Sequence, residues 1–374
     1  MTMKRAIPRA LATGALAAAL ALLLVACGGE TIEGPGSEQD AQTAPALGPE
    51  DIENTVVFAG PGGGFAEAFR EAFASFEQEH GVKVDYVEGL VAENFSRVQT
   101  QVRAGASEID VFIVSPRDTP LGIAQGLFQP LDTGLVSELD ALTDFARMED
   151  DIAAKVAFSP DGLIYNKQVF EENGWPAPTS WEDLFNETYA DCMVPLHPST
   201  SSTYLGFLNY VASGGDYAGF DATLDRFRPI ADRVPAVAQS PVDAQDLVQQ
   251  GVACLSSSSQ GRALTLQDDN VVFVIPDEGA PVGTLTAAVV KDAPHPVAAN
   301  LLLNSLLSEE TQSLVLEKAF WSPTNASVTP DPQGAAADLS TAKDFDELGY
   351  TEIPPGAYEE LESWIRDWDG VFAD

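Results

Sequence analysis

The sequence predicts an α/β protein built as two lobes with chain crossovers between them. Strand-like and helix-like segments alternate from about residue 54 onward. The chain has 374 residues, more than one compact core usually organises. Its hydrophobic content, 45%, is that of a globular protein.

Val56 to Ala59 reads as the first strand, and Pro61-Gly62-Gly63-Gly64 as a turn. Phe65, Phe69, Phe73 and Phe76 recur at helical spacing, with Glu67, Arg70, Glu71 and Glu77 on the other faces. Such a stripe is core. His80-Gly81 is a glycine stop. A strand at 82–87, a helix at about 93–103 and an apolar strand at 111–114 follow. This β-α-β-α-β order predicts a mostly parallel sheet covered by helices.

A second block opens with strand-like segments at 156–158 and 162–167. The stretch 175–184 predicts a loop closing on a helix capped by Ser180. A strand at 192–196 leads through His197 to Thr203 into a helix containing Leu208 and Val211. A helix near 243–250 precedes a strand at 251–255, which ends in the loop Ser256 to Gly261. Strands at 271–275 and 286–290 flank Pro276-Asp277-Glu278-Gly279, and helices are expected at about 296–307 and 309–319. A loop-rich tail, 323–355, ends in a helix containing Trp364 and Trp368. There is no internal repeat and no sustained heptad.

The first 27 residues say where the chain works. Lys4, Arg5 and Arg9 precede an apolar run from Ala10 to Ala26, and Leu24-Val25-Ala26-Cys27 follows the order of a secretory signal and its cut. The run is short and alanine-rich for a membrane span. Cys27 at the cut resembles the lipobox of bacterial lipoproteins, which implies lipidation of Cys27 as the new N-terminus. An uncleaved anchor helix is the alternative. Residues 28–51, rich in Gly, Pro, Glu, Gln and Thr, have too little apolar surface to offset ordering entropy and read as a flexible tether. The expected location is the extracytoplasmic face of a membrane.

Charge narrows the partners. The sequence holds 57 acids and 19 bases, three of those bases in the leader, for a formal net charge of −38. Nucleic acid is excluded as a partner, because phosphate binding needs a basic footprint. The acids are scattered, as Glu67, Glu71, Glu77, Asp140, Glu149 to Asp151, Glu359 and Glu360 illustrate, and not clustered at ligand spacing. They read as a solvated surface, with adaptation to a saline habitat as a hypothesis, and not as a cation trap. No metal site or cofactor motif is expected. With Cys27 lipidated, Cys192 and Cys254 remain as a pair in an oxidising compartment, and a disulfide between them is expected; two buried thiols are the alternative.

Several segments, in order, resemble an extracellular solute-binding protein of an ABC importer. They are Ile109-Asp110-Val111-Phe112, Gly162 to Lys167 (a "G-L-x-Y-N" hinge), Pro178 to Leu184 (a "P-x-T-W-x-D-L" segment) and Pro276 to Gly279. The helix after His295-Pro296 and Ser308-Glu309-Glu310-Thr311-Gln312 complete the set, which spans about 54–330. The resemblance is to the two-lobed branch that serves polyamines, ferric ion, thiamine, phosphonates and sugar phosphates. It implies a periplasmic-binding-protein-like fold with hinge crossovers, and a monomer that closes on a small solute and docks on a permease. The lobes would be 52–157 plus 276–325, and 158–275 plus 326–374.

A cleft in such a sheet lies beyond the carboxyl ends of its strands. Candidate ligand residues are therefore Gly62, Gly63, Gly64 and Phe65, Ser115 and Arg117, Tyr165, Ser199, Thr200, Ser201, Ser202 and Thr203, and Ser256, Ser257 and Ser258. Hydroxyl residues opening a helix offer N–H groups and a favourable dipole to an anion, although one such hydroxyl is also an ordinary N-cap. The glycines are no P-loop, since no Gly-Lys-Ser/Thr follows. Ferric-binding relatives resemble one another in a Tyr-Tyr pair where this chain has serines, which disfavours iron. Polyamine-binding relatives carry an aromatic and an acid that Val282 to Thr286 lacks, although Asp277 and Glu278 keep that option. A hydroxyl-rich cleft near Arg117 or Arg262 suits an oxygen-rich or phosphorylated solute. A hydrolase using His197 with Ser199 or Ser201 is the alternative, without a Gly-x-Ser-x-Gly elbow or His-Glu-x-x-His in support.

Overall fold

The computed structural model describes residues 48–372, except 200, 201, 216, 218, 219, 267 and 346. The leader, Cys27 and most of the tether lie outside the described residues. Where the tether was expected to end, Pro49–Asp51 instead form a 3-10 turn, with the Gly48 N–H donating to the Asp51 carboxylate at 3.0 Å.

The first elements are β1 (Thr55–Gly60), α1 (Gly64–His80), β2 (Lys83–Glu88), α2 (Val91–Ala104), β3 (Val111–Val114), α3 (Asp118–Ala124) and β4 (Phe128–Gln129). The Phe stripe is core over most of its length: Phe69 and Phe73 meet Phe58 of β1 edge-on at 5.3 and 5.0 Å, and Phe76 is buried. Gly81 closes α1 in the left-handed conformation, φ 70°, its N–H on the Glu77 carbonyl.

β5 (Ala154–Asn166) is one continuous strand where the sequence suggested two, interrupted only by a bulge between Lys155 and Ala157. Then come α4 (Lys167–Asn173), a 3-10 turn Trp181–Phe185 with Ser180 as its cap, α5 (Ser202–Ala212), α6 (Asp221–Phe227), α7 (Pro241–Gln249) and β6 (Leu255–Ser259). The serine run is thus itself a strand and not the loop that was expected. The strand expected at 192–196 is reduced to bridges, Met193 to Leu255 and Leu196 to Ala238. After α8 (Gln260–Thr265) and β7 (Val271–Val274), β8 (Ala280–Val290) returns and leads into α9 (Pro296–Leu307) and α10 (Glu309–Ala319). The tail contributes β9 (Tyr350–Thr351), α11 (Pro355–Glu359) and α12 (Leu361–Phe372).

The sheet runs β2-β1-β3-β8-β5-β6. β2-β1-β3 is parallel, as is the short β8–β9 pair; β8 pairs antiparallel with both β3 and β5, and β5 with β6 and β7. The mostly parallel expectation is therefore corrected to a mixed sheet. The reason is connectivity: β5 leaves and β8 returns side by side, which forces opposite directions.

Two large cores flank this pair of crossing strands. One joins Phe58, Phe69 and Phe73 to Ala287, Leu303 and Leu307. The other joins Leu163, Trp181 and Phe207 to Leu255, Ile353, Trp364 and Trp368. Within the second, Trp364 stacks on Phe220 at 5.3 Å, which docks α12. The expected disulfide is present: Cys192 is bonded to Cys254 with Cα atoms 5.2 Å apart, inside the limit of about 7 Å that a bridge tolerates.

Candidate functional site

A cavity of about 210 Å³ opens where the two crossing strands meet the elements on either side. Pro116, Thr119 and Pro120, at the end of β3 and in α3, form one wall. Its floor is Lys155 of β5 with Val282, Thr284 and Thr286 of β8; alternate residues of a strand share a face, so these three point the same way. The opposite wall is tail, Glu352 to Pro355 and Tyr358, whose Ile353 belongs to the second core. Met148 completes the lining.

The charged floor is an ion pair. Lys155 Nζ lies 2.6 Å from Glu352 Oε2 and donates to the Phe145 carbonyl at 2.5 Å, 5.5 Å from the centre of that ring. Thr284 Oγ1 reaches the other Glu352 oxygen at 3.5 Å.

Among the described residues, none of the candidates named from sequence is in the lining of this cavity. Pro116, between Ser115 and Arg117, is in its wall; Ser115 instead holds the turn before α3, its hydroxyl donating to Asp118 at 2.8 Å, and Arg117 is exposed. Phe65 instead meets Trp321 edge-on at 5.4 Å, and Trp321 sits beside Gly283 of β8. A Cβ on Gly64 would stand 2.2 Å from the Lys318 carbonyl oxygen, so this glycine lets α1 close on α10. Gly62 lies beside Glu88, which pairs with Arg70 at 2.6 Å, and the exposed Gly63 has φ 65°. Tyr86 donates to the Pro61 carbonyl behind this loop; burial first, and Glu88 next, push its hydroxyl far above the usual tyrosine range, with Arg70 opposing.

In the second core, Tyr165 packs against Phe170 at 4.9 Å, and burial raises its hydroxyl. Ser256, Ser257 and Ser258 are buried in β6. Ser256 donates to the Val194 carbonyl at 2.6 Å, Ser258 accepts from Gln245 at 2.9 Å, and Ser257 faces the Tyr204 hydroxyl. Glu278 accepts from the Ser180 hydroxyl and the Trp181 N–H, and Asp277 is exposed with its N–H on the Thr179 carbonyl. Arg262 is exposed on α8. Ser199 sits 2.6 Å from His197 Nδ1, and His197 Nε2 lies 2.9 Å from Asp369 of α12. Thr200 and Ser201 lie outside the described residues; Ser202 and Thr203 open α5.

Asp110, in a segment that carried the resemblance, is a structural group. Fully buried, it accepts from the backbone N–H of Val57 and of His295 at 2.8 Å each, and it lies 2.9 Å from His295 Nδ1, which ties β1 to the start of α9. The residues that sequence reasoning missed are Lys155, Thr119, Thr284, Thr286, Glu352 and Tyr358. Thr284 and Thr286 did carry a signal, as two hydroxyls on one face of an apolar strand. Lys155 and Glu352 lie 197 positions apart, and nothing local announced them.

The family model for bacterial extracellular solute-binding proteins matches residues 71–342. The chain belongs to that family. A Salmonella typhimurium protein assigned to 2-aminoethylphosphonate binding in the periplasm is 24% identical over 316 residues, 81% of this chain and 83% of the relative. The putrescine/agmatine-binding protein of Pseudomonas aeruginosa is 25% identical over 272 residues, 63% of this chain and 70% of the relative. Among solved structures, an ABC transporter protein from Clostridium perfringens superposes with a TM-score of 0.72 at 18% identity, covering 85% of this chain and 99% of that one. This solute-binding protein thus has the two-lobed fold of periplasmic binding proteins, and its function is to deliver a small solute to an ABC transporter. Among the described residues, no helix is long and apolar enough to cross a membrane.

Proposed function

We propose that the protein is a lipid-anchored receptor, processed after residue 26, lipidated at Cys27 and held by the tether at the extracytoplasmic face of the membrane. It acts as a monomer and carries out no catalysis. Its lobes, 52–157 plus 276–325 and 158–275 plus 326–374, close about β5 and β8 on a small polar solute, which shifts an existing open–closed equilibrium. One observation carries this reading: the cavity takes a wall from each side and its floor from the two crossing strands, so a bound solute touches both lobes and the hinge at once. The relatives direct attention to aminophosphonates and diamines, and the threonine-lined floor suits oxygen-rich groups. The Ser199–His197–Asp369 chain supports a clamp between α12 and the loop before α5; a hydrolase reading has no further support.

The test is a thermal-shift screen of the purified protein against aminophosphonates, polyamines, sugar phosphates, thiamine and ferric citrate. A true solute at ~100 times its dissociation constant should add roughly 2.7 kcal/mol of stability. A flat response across the panel would refute the receptor reading at this cavity. For the anchor, Cys27→Ser should release the protein from the membrane fraction; a Ser variant that stays membrane-bound refutes lipidation.

A further inference from the structure

The cavity holds one cation and one anion, and they are paired with each other. Lys155 is nearly enclosed, its side chain 13% exposed, while Glu352 is 37% exposed. Two of the three ammonium N–H groups are engaged, by Glu352 and by the Phe145 carbonyl. The rest of the lining is threonine, proline, tyrosine and aliphatic side chains, so its formal charge is balanced. Enclosing the Lys155 ammonium is costly unless something uses it, and an apolar side chain of similar volume would serve packing as well.

We propose that Lys155 and Glu352 are a charge-reading couple, and that the solute is a small zwitterion whose anionic group takes Lys155 and whose ammonium takes Glu352. The inference rests on the receptor reading of this cavity and deepens it. A solute bearing only negative charge would leave Glu352 facing it unmatched, and a diamine would leave Lys155 so. A purely anionic solute would also approach against the field of a chain with net charge −38, which an ammonium on the solute offsets. Size agrees: at about 30 Å³ per water in the liquid, the cavity holds on the order of seven water-sized groups. The internal pair keeps the empty site satisfied, and the solute replaces it with two pairs of the same kind.

The test is titration calorimetry of the purified full chain with 2-aminoethylphosphonate, ethylphosphonate and putrescine. The zwitterion should bind at least about tenfold more tightly than either single-sign probe. Lys155→Met should weaken the zwitterion about 100-fold and shift preference toward putrescine; Glu352→Gln should weaken it comparably and shift preference toward ethylphosphonate. Lys155→Arg should restore part of the affinity. The proposal is overturned if wild type prefers a single-sign probe, if no probe binds, or if both variants move all three probes alike, as a purely structural pair would. Those results leave the receptor reading standing, because it falls only when the wider solute screen finds nothing.

Discussion

Ser257 separates what a residue type suggests from what its neighbours make of it. In the sequence it is one of four consecutive hydroxyls at a strand end; in the fold it points into the second core against Tyr204. Ser257→Ala should therefore change stability, by about 1 kcal/mol, and leave solute affinity within twofold. Calorimetry against urea melts decides it, and a tenfold loss of affinity would return Ser257 to the binding site. A sharper case is Gly261 at the start of α8. A Cβ there would lie 1.7 Å from the Phe320 carbonyl oxygen, a backbone atom that can move only if the end of α10 moves with it. Gly261→Ala should cost about 1–3 kcal/mol as overpacking, read as a lower urea midpoint at unchanged slope. Neither partner could be read locally, since Tyr204 is 53 and Phe320 is 59 positions away.

The helices were largely legible as elements, because their apolar spacing, caps and stops are local. The spans 296–307 and 309–319 were read at their observed limits, and Gly81 and Ser180 punctuate as expected. Strands were harder. The serine run has little hydrophobic periodicity, and its identity as β6 comes from pairing with β5, a tertiary fact. The disulfide was legible from compartment and count. It closes a segment of 62 positions, for which the loop-entropy estimate is about 4 kcal/mol. Cys192→Ala with Cys254→Ala should lower stability by about 2–4 kcal/mol, and an equal urea midpoint with and without the bridge would refute that. The tail supplies a pH signature. Burial pushes Tyr350 up to about 12, with Ser340 at 2.5 Å drawing it back and Asp344 adding to the rise. The folded state therefore holds that proton more tightly than the unfolded chain, whose tyrosine titrates near 10. This contribution is complete below pH 10 and is lost as the pH rises through about 12. Tyr350→Phe should flatten the alkaline fall in stability between those values; an unchanged slope counts against it.

For the molecule as a whole, the two-lobed class followed from length and alternation, whereas the cavity did not. Its walls come from α3, β5, β8 and the tail, so it exists only once the chain has crossed between the lobes and the tail has folded back over the crossing strands. Charge acts at this same scale. A net charge of −38 with only 19 bases leaves many surface carboxylates facing one another. Their mutual repulsion is relieved as the chain expands, so it opposes the compact state. The screening length is about 10 Å at 0.1 M salt and about 3 Å at 1 M, so added salt should remove most of that repulsion while sparing the enclosed Lys155–Glu352 pair. The melting temperature should consequently rise by several degrees between 10 mM and 1 M sodium chloride, with most of the gain below about 0.5 M, where screening changes fastest. Sucrose at matched osmolality separates screening from general solute exclusion, because it strengthens burial without screening charge. A melting temperature that stays flat or falls with salt, or that sucrose raises equally, would show that the acidic surface does not strain the fold.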